Sequence, residues 1–153
     1  MNAQYIHPFL ESASTVIEQF CNVSVTKGEM VLTTLTLHED HTWIRIGLTG
    51  QVEGDVIFGL HNEVALKLVS AMMGGFPVSE MDEMGKSAIS ELGNMISGNA
   101  STLLYNQGVT IDITPPQVVQ NHETFAKSAN EALSVPLDLS ELGRMEIQVV
   151  VMK

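Results

Sequence analysis

Positive charge is scarce in this chain. Seven Lys+Arg stand against eighteen Asp+Glu, a formal net charge of -11 over 153 residues. Binding to nucleic acid needs a basic face against the phosphate backbone, and docking on an anionic membrane needs the same, so the charge balance argues against both. Cysteine is scarcer still. Cys21 stands alone, which excludes an internal disulfide and any multi-cysteine zinc site and fits a reducing compartment. No stretch approaches the roughly 18 apolar residues of a membrane span. The opening MNAQYIHPFLESAS has neither the basic start nor the apolar run of a signal peptide. The expectation is a soluble, cytoplasmic protein whose partner is another protein or a small molecule.

Familiar catalytic signatures are absent as well. Neither GxSxG nor the P-loop pattern occurs, so serine-hydrolase and nucleotide-binding readings have no support. The five histidines (His7, His38, His41, His61 and His122) fall in no metal-binding spacing. His38, Glu39, Asp40 and His41 form a compact polar cluster that reads first as a hairpin turn, with metal binding a distant second. Cys21 follows Phe20 at a helix end, where packing is the expected role.

What is present describes a folded chain. The hydrophobic fraction of 44% and charged fraction of 16% are globular values, and the length suits one domain, residues 1–153. Ile6, Phe9, Leu10, Ala13, Ile17 and Phe20 make one apolar stripe at helical spacing, with Pro8 in the first turn. Asn22, or Lys27 with Gly28, ends that unit. Residues 30–37, 42–48 and 55–60 read as strands of an antiparallel meander with turns at 39–40 and 50–54. In the middle one, Trp43, Arg45 and Gly47 share a face opposite Ile44, Ile46 and Leu48. A second helix starts at Asn62 as N-cap, buries Val64, Leu68, Val69, Met72 and Met73, and stops at Gly74-Gly75. The third and longest helix spans about 82–106, with Ile89, Leu92, Ile96, Leu103 and Leu104 inward and Gly108 beyond its end. A strand at 109–114 ends at Pro115-Pro116, the segment 117–130 is ambiguous, and 132–137 and 144–152 form a last hairpin about 140–143.

A repeat runs beneath this order. Ser12-Ala13-Ser14-Thr15 on the first helix answers to Asn99-Ala100-Ser101-Thr102 on the third, and each half closes with a hairpin. Segments this short match by chance, but the shared order of elements points to two similar halves about a pseudo-twofold axis.

One stripe on the third helix is unusual. Ser87, Glu91, Asn94 and Gly98 fall at i, i+4, i+7 and i+11, on one face. Most such stripes are solvated polar faces, but those favour Lys, Glu, Gln, Arg and Ala. Here the face and its flanks hold Ser87, Ser90, Gly93, Asn94, Ser97, Gly98 and Asn99. Gly93 and Gly98 together cost roughly 2 kcal/mol of helix propensity. Two explanations are open: close packing of another element, or close approach of a partner's backbone to Glu91 and Asn94.

These residues resemble a known signature. Ser87-Ala-Ile-Ser-Glu91-Leu-Gly-Asn94-Met-Ile-Ser-Gly98 is similar to that of the CheC, CheX and FliY chemotaxis phosphatases: Asp or Ser, three residues, Glu, two residues, Asn, then a proline roughly twenty residues on. Pro115 and Pro116 supply the proline, one or two residues early. Ala-Met-Met-Gly-Gly at 71–75 and the order of elements also resemble the family. The resemblance implies an α+β fold: a pseudo-twofold duplication with antiparallel sheet packed by two long similar helices and a shorter one. It implies hydrolysis of the aspartyl phosphate on a CheY-like response-regulator receiver domain, ending a two-component signal. Asn94 would orient the attacking water and Glu91 would pair with the receiver's lysine, with Ser87 and Gly98 supporting the face. The Mg2+ would be the receiver's, with no cofactor held here. Setting the two repeats in register places Gln4 opposite Glu91 and His7 opposite Asn94, so one site per chain is expected, the CheX pattern, and with it a homodimer formed by joining sheets. The alternatives are a non-catalytic receiver-binding or flagellar-switch-like module, or a regulatory domain whose helix face is packed. Exposure of Glu91 and Asn94 would favour the phosphatase over the packed domain.

Overall fold

The first apolar stripe folds as α1 (His7–Cys21), with Pro8 in its opening turn, where the missing N–H costs nothing. Ile6, Phe9, Leu10, Ala13 and Ile17 are all buried. Asn22 ends the helix in the left-handed region at φ 58°, its N–H on the Glu18 carbonyl. Phe20, expected in the stripe, is 52% exposed, and Cys21 turns inward instead. Periodicity gives the direction of a side chain but not where the layer covering it ends. The computed structural model describes residues 3–34, 39–120 and 131–151, so His38, His122 and the expectations for 35–38 and 121–130 lie outside the described residues.

The strands are β1 (Thr26–Lys27), β2 (Val31–Thr34), β3 (His41–Gly50), β4 (Gly54–His61), β5 (Ile111–Ile113), β6 (Gln117–Gln120), β7 (Glu131–Asp138) and β8 (Arg144–Val151). They form one antiparallel sheet in the order β1-β7-β8-β4-β3-β5, with β2 also on β7 and β6 also on β3. Only the hairpin of β3 and β4 survives from the expected meander. β2 pairs with β7 instead, Val31 opposite Ser134. Both edges of β3 are already taken, by β4 on one side and by β5 and β6 on the other.

The register exposes the duplication. The central strands β4 and β8 pair with each other, and each is bonded to its own hairpin partner, β3 or β7. Each outer partner then receives two short strands from the opposite half. Thr26 opposite Asp138 answers to Ile113 opposite Leu48, and Val31 opposite Ser134 answers to Val118 opposite Ile44. The halves are therefore interlocked, which makes the fold α+β with a pseudo-twofold axis between β4 and β8.

One face of the sheet packs on the helices, through Ile44, Ile46, Leu48, Val56, Phe58, Leu60, Ile147 and Val149. The other face carries a small cluster of Trp43, Ile57 and Val119 beside an Arg45–Asp55 ion pair at 2.8 Å. Strand alternation delivers both sets from the same segments. α2 (Asn62–Met72) follows β4, capped by His61, whose Nδ1 accepts the Glu63 N–H. Asn62, the expected cap, is the first helical residue because its Oδ1 accepts a hydrogen bond from Thr42 on β3. Leu68 and Val69 are buried, whereas Val64, Met72 and Met73 are only partly covered. Gly74 and Gly75, both at positive φ, stop the helix.

Candidate functional site

α3 (Glu83–Asn106) carries the unusual stripe. Asp82 starts it, its Oδ1 accepting the Gly85 N–H at 2.9 Å, a cap contributing about 1 kcal/mol. Ile89, Leu92, Ile96, Ala100 and Leu104 are buried, while Leu103 is only partly so. α3 packs on α1, and small buried side chains on both helices (Ser12, Ala13, Ser97 and Ala100) suit a close crossing.

The opposite face is open. Ser87, Glu91, Asn94 and Gly98 are all exposed. Among the described residues, neither Glu91 nor Asn94 has its side chain in a hydrogen bond or ion pair. They stand one turn apart on a shallow depression of about 430 Å3, lined also by Lys86, Ser87, Ser90 and, from β6, Val118. Lys86 is the only basic residue of α3. Sequence spacing missed it, because it lies off the stripe; its signal is that uniqueness. Val118 arrives from a segment that was ambiguous in sequence.

The two glycines separate the two explanations left open. A Cβ at Gly93 would stand 3.1 Å from Ile44 Cγ2 and 3.3 Å from Pro116 Cβ, so Gly93 lets α3 lie directly on β3 and on Pro116. A Cβ at Gly98 would meet nothing within 4 Å. Packing accounts for Gly93 and leaves Gly98 unexplained within the monomer. Ser97 is buried and donates its hydroxyl to the Gly93 carbonyl at 2.8 Å, so it belongs to the packing side. Thr114 holds the turn below: its hydroxyl accepts the Gly47 N–H at 2.8 Å and its own N–H donates to the Gly47 carbonyl at 3.0 Å. That clamp on β3 sets Pro116 under the helix, one residue before Asn94. Pro115 is exposed.

The remaining candidates lie elsewhere. Cys21 is buried, and desolvation pushes its thiol pKa up, which disfavours the reactive thiolate. His41 donates Nδ1–H to the Glu39 carbonyl, stacks on Trp43 and meets His61 edge-on. His7 is exposed at the start of α1. Among the described residues no group of three His, Cys, Asp or Glu is placed to hold a metal ion, and no helix is long and apolar enough to cross a membrane.

Comparison with known proteins shows what the chain is similar to. Residues 43–138 match the family described as chemotaxis phosphatase CheX. The CheY-P phosphatase CheX of Thermotoga maritima is 35% identical over 140 residues, covering 91% of this chain and 90% of its own length. Among solved structures, a CheC-like superfamily protein from Shewanella sp. PV-4 superposes with a TM-score of 0.85 at 28% identity over 100% of both chains. A CheX–CheY–BeF3–Mg2+ complex from Borrelia burgdorferi gives 0.82 at 28% identity, over 99% of this chain and 100% of that one.

Proposed function

The chain belongs to the chemotaxis phosphatase CheX family, and from that premise we propose that it hydrolyses the aspartyl phosphate of a CheY-like receiver domain, with Asn94 and Glu91 as the residues that enter the receiver's active site. The observation that carries the assignment is their shared exposure on one turn of α3, with no partner of their own among the described residues. A group meant to act on another protein must be presented in this way.

The chemistry asks little of this chain beyond position. Phosphoryl transfer depends on alignment and charge stabilisation more than on a strong base. The Asn94 carboxamide both accepts from and donates to a water, fixing it for in-line attack without adding negative charge beside the phosphoryl oxygens. The water's oxygen bonds to phosphorus as the bond to the aspartyl oxygen breaks, releasing inorganic phosphate and the receiver's free carboxylate. Glu91 takes the receiver's active-site lysine in a charge-assisted hydrogen bond, which holds the helix in place. The Mg2+ that balances phosphoryl charge is the receiver's. Residues 4 and 7, the counterparts of Glu91 and Asn94, are Gln and His, so each chain has one site. The chain works in the cytoplasm, where receivers are found, as a homodimer joined through its sheet.

The test follows the decay of aspartyl phosphate on receivers from the same cell, with the wild type and with Asn94→Ala. The wild type accelerates decay, and the variant binds without accelerating it. Binding by the wild type with no acceleration on any receiver would leave a non-catalytic interaction module.

A further inference from the structure

We propose that the receiver's footprint runs the whole exposed length of α3, and that Met84 and Tyr105, at its two ends, are the apolar anchors of the complex. This rests on the receiver reading above and adds where on this chain the affinity resides.

Exposed apolar side chains are common and singly need no explanation. Placement distinguishes these two. At about 100° per residue, Met84, Ser87, Glu91, Asn94, Gly98 and Tyr105 fall within an arc of about 80°. Both lie on that face, Met84 63% exposed near the start of the helix and Tyr105 69% exposed near its end. The other large hydrophobics exposed to this degree among the described residues, Phe20, Val31, Leu32 and Phe76, are not on α3. At 1.5 Å rise per residue the two ends are about 31 Å apart, roughly the diameter of a small domain. Between them the surface is low. Gly98 carries no side chain, and Thr102 turns its hydroxyl back to the Gly98 carbonyl at 3.2 Å. A domain seated on Glu91 and Asn94 with its backbone against Gly98 therefore reaches both ends.

The polar centre is a poor source of affinity. The pairing of Glu91 with the receiver's lysine orients the helix, but this chain carries a net charge of -11 and the target is itself a phosphoryl anion. Hydrogen bonds formed there replace hydrogen bonds to water, with a small net gain. Contacts at the reacting centre serve the rate best when they strengthen in the transition state, so ground-state affinity belongs to groups away from it. Tyrosine is among the residue types that most often dominate an interface, and methionine adapts to irregular surfaces.

The experiment is steady-state dephosphorylation by the full chain, alongside direct binding to the same receivers charged with beryllofluoride and Mg2+. Wild type, Tyr105→Ala, Met84→Ala and the double variant are compared, with Phe20→Ala as an exposed control off the arc. Tyr105→Ala should raise KM and the dissociation constant about tenfold, and Met84→Ala about threefold, with kcat within about twofold of wild type. The double variant should be weaker than either, and Phe20→Ala should match wild type. Unchanged KM and unchanged binding in both single variants would overturn the anchors while leaving an active phosphatase intact. A wild type that binds but never accelerates decay would instead overturn the catalytic reading, and the binding arm would still decide the anchors.

Discussion

α1 and α3 occupy matching places across the pseudo-twofold axis, yet only α3 carries the exposed pair Glu91 and Asn94. α1 begins at His7, the position that answers to Asn94, whereas α3 begins at Glu83 and has run about three turns before reaching Asn94. Those added turns carry Ser87 and Glu91. A second difference lies underneath. Gly93 has Ile6 as its counterpart, a fully buried side chain, and the bare backbone at Gly93 is what brings α3 down onto Ile44 and Pro116. The position answering to Pro116 is Glu29. Duplication thus supplies a scaffold twice, while the proposed site draws on a longer helix, the exposed Glu91 and Asn94, and a close seat beneath them, a combination found in one half only.

The sharpest way to test that contrast is Asn94→Ala. Because Asn94 is exposed and without a partner among the described residues, the substitution should leave stability within about 0.5 kcal/mol of wild type. Loss of water positioning should lower kcat by about a hundredfold or more. Thermal unfolding and phosphate release on the same preparation check both halves of the statement. Glu91→Gln comes next. It keeps the shape of the side chain and removes the charge proposed to pair with the receiver's lysine, so kcat/KM should fall about tenfold. A change of less than about twofold would remove Glu91 from the site.

The reach of the sequence follows the same divide. Helix ends were largely legible because they are local: Asp82 and Gly74-Gly75 act within a turn of themselves, and of the two ends offered for the first helix the structure takes Asn22. The exposed stripe was legible for the same reason, since spacing on a helix fixes a face. Strand partners were not. β2 lies beside β7, about a hundred residues away along the chain, and no periodicity encodes that choice. The separate tasks of Gly93 and Gly98 were equally hidden, because they depend on what lies opposite each one. Asn62 lost its expected capping role to a hydrogen bond from Thr42, another contact set by the fold.

The glycine pair turns that point into a measurement. Alanine at either position should add about 1 kcal/mol of helix propensity. At Gly98 nothing opposes the gain, so Gly98→Ala should stabilise the fold by about that amount while raising KM for the receiver a few-fold, as its methyl group holds the partner's backbone away. At Gly93 the new methyl presses on a fully buried Ile44 and on the Pro116 ring. Overpacking of about 1–3 kcal/mol should outweigh the propensity gain and tilt the turn that carries Asn94, lowering both stability and kcat. Denaturant unfolding with matched kinetics separates the two. Equal effects at both glycines would erase the distinction drawn between packing and approach.

The smallest expected effect is the most direct challenge to the comparison of halves. Gln4→Glu with His7→Asn writes the missing carboxylate and carboxamide into the first half, at positions that answer to Glu91 and Asn94. Both positions are exposed, so the double substitution should fold normally. It should nevertheless restore no phosphatase activity to an Asn94→Ala background. Residue 4 lies in a short 3-10 turn (Ala3–Tyr5) rather than on α1, and a 3-10 turn rotates successive side chains by more than an α-helix does. Pro8 lies in the first turn of α1, so residues 4 and 7 lack the continuous helical face that joins Glu91 to Asn94. Helical extension, and not residue identity alone, then separates a scaffold half from a working one. Rescue of dephosphorylation by this variant would show that the two side chains suffice wherever the duplication places them.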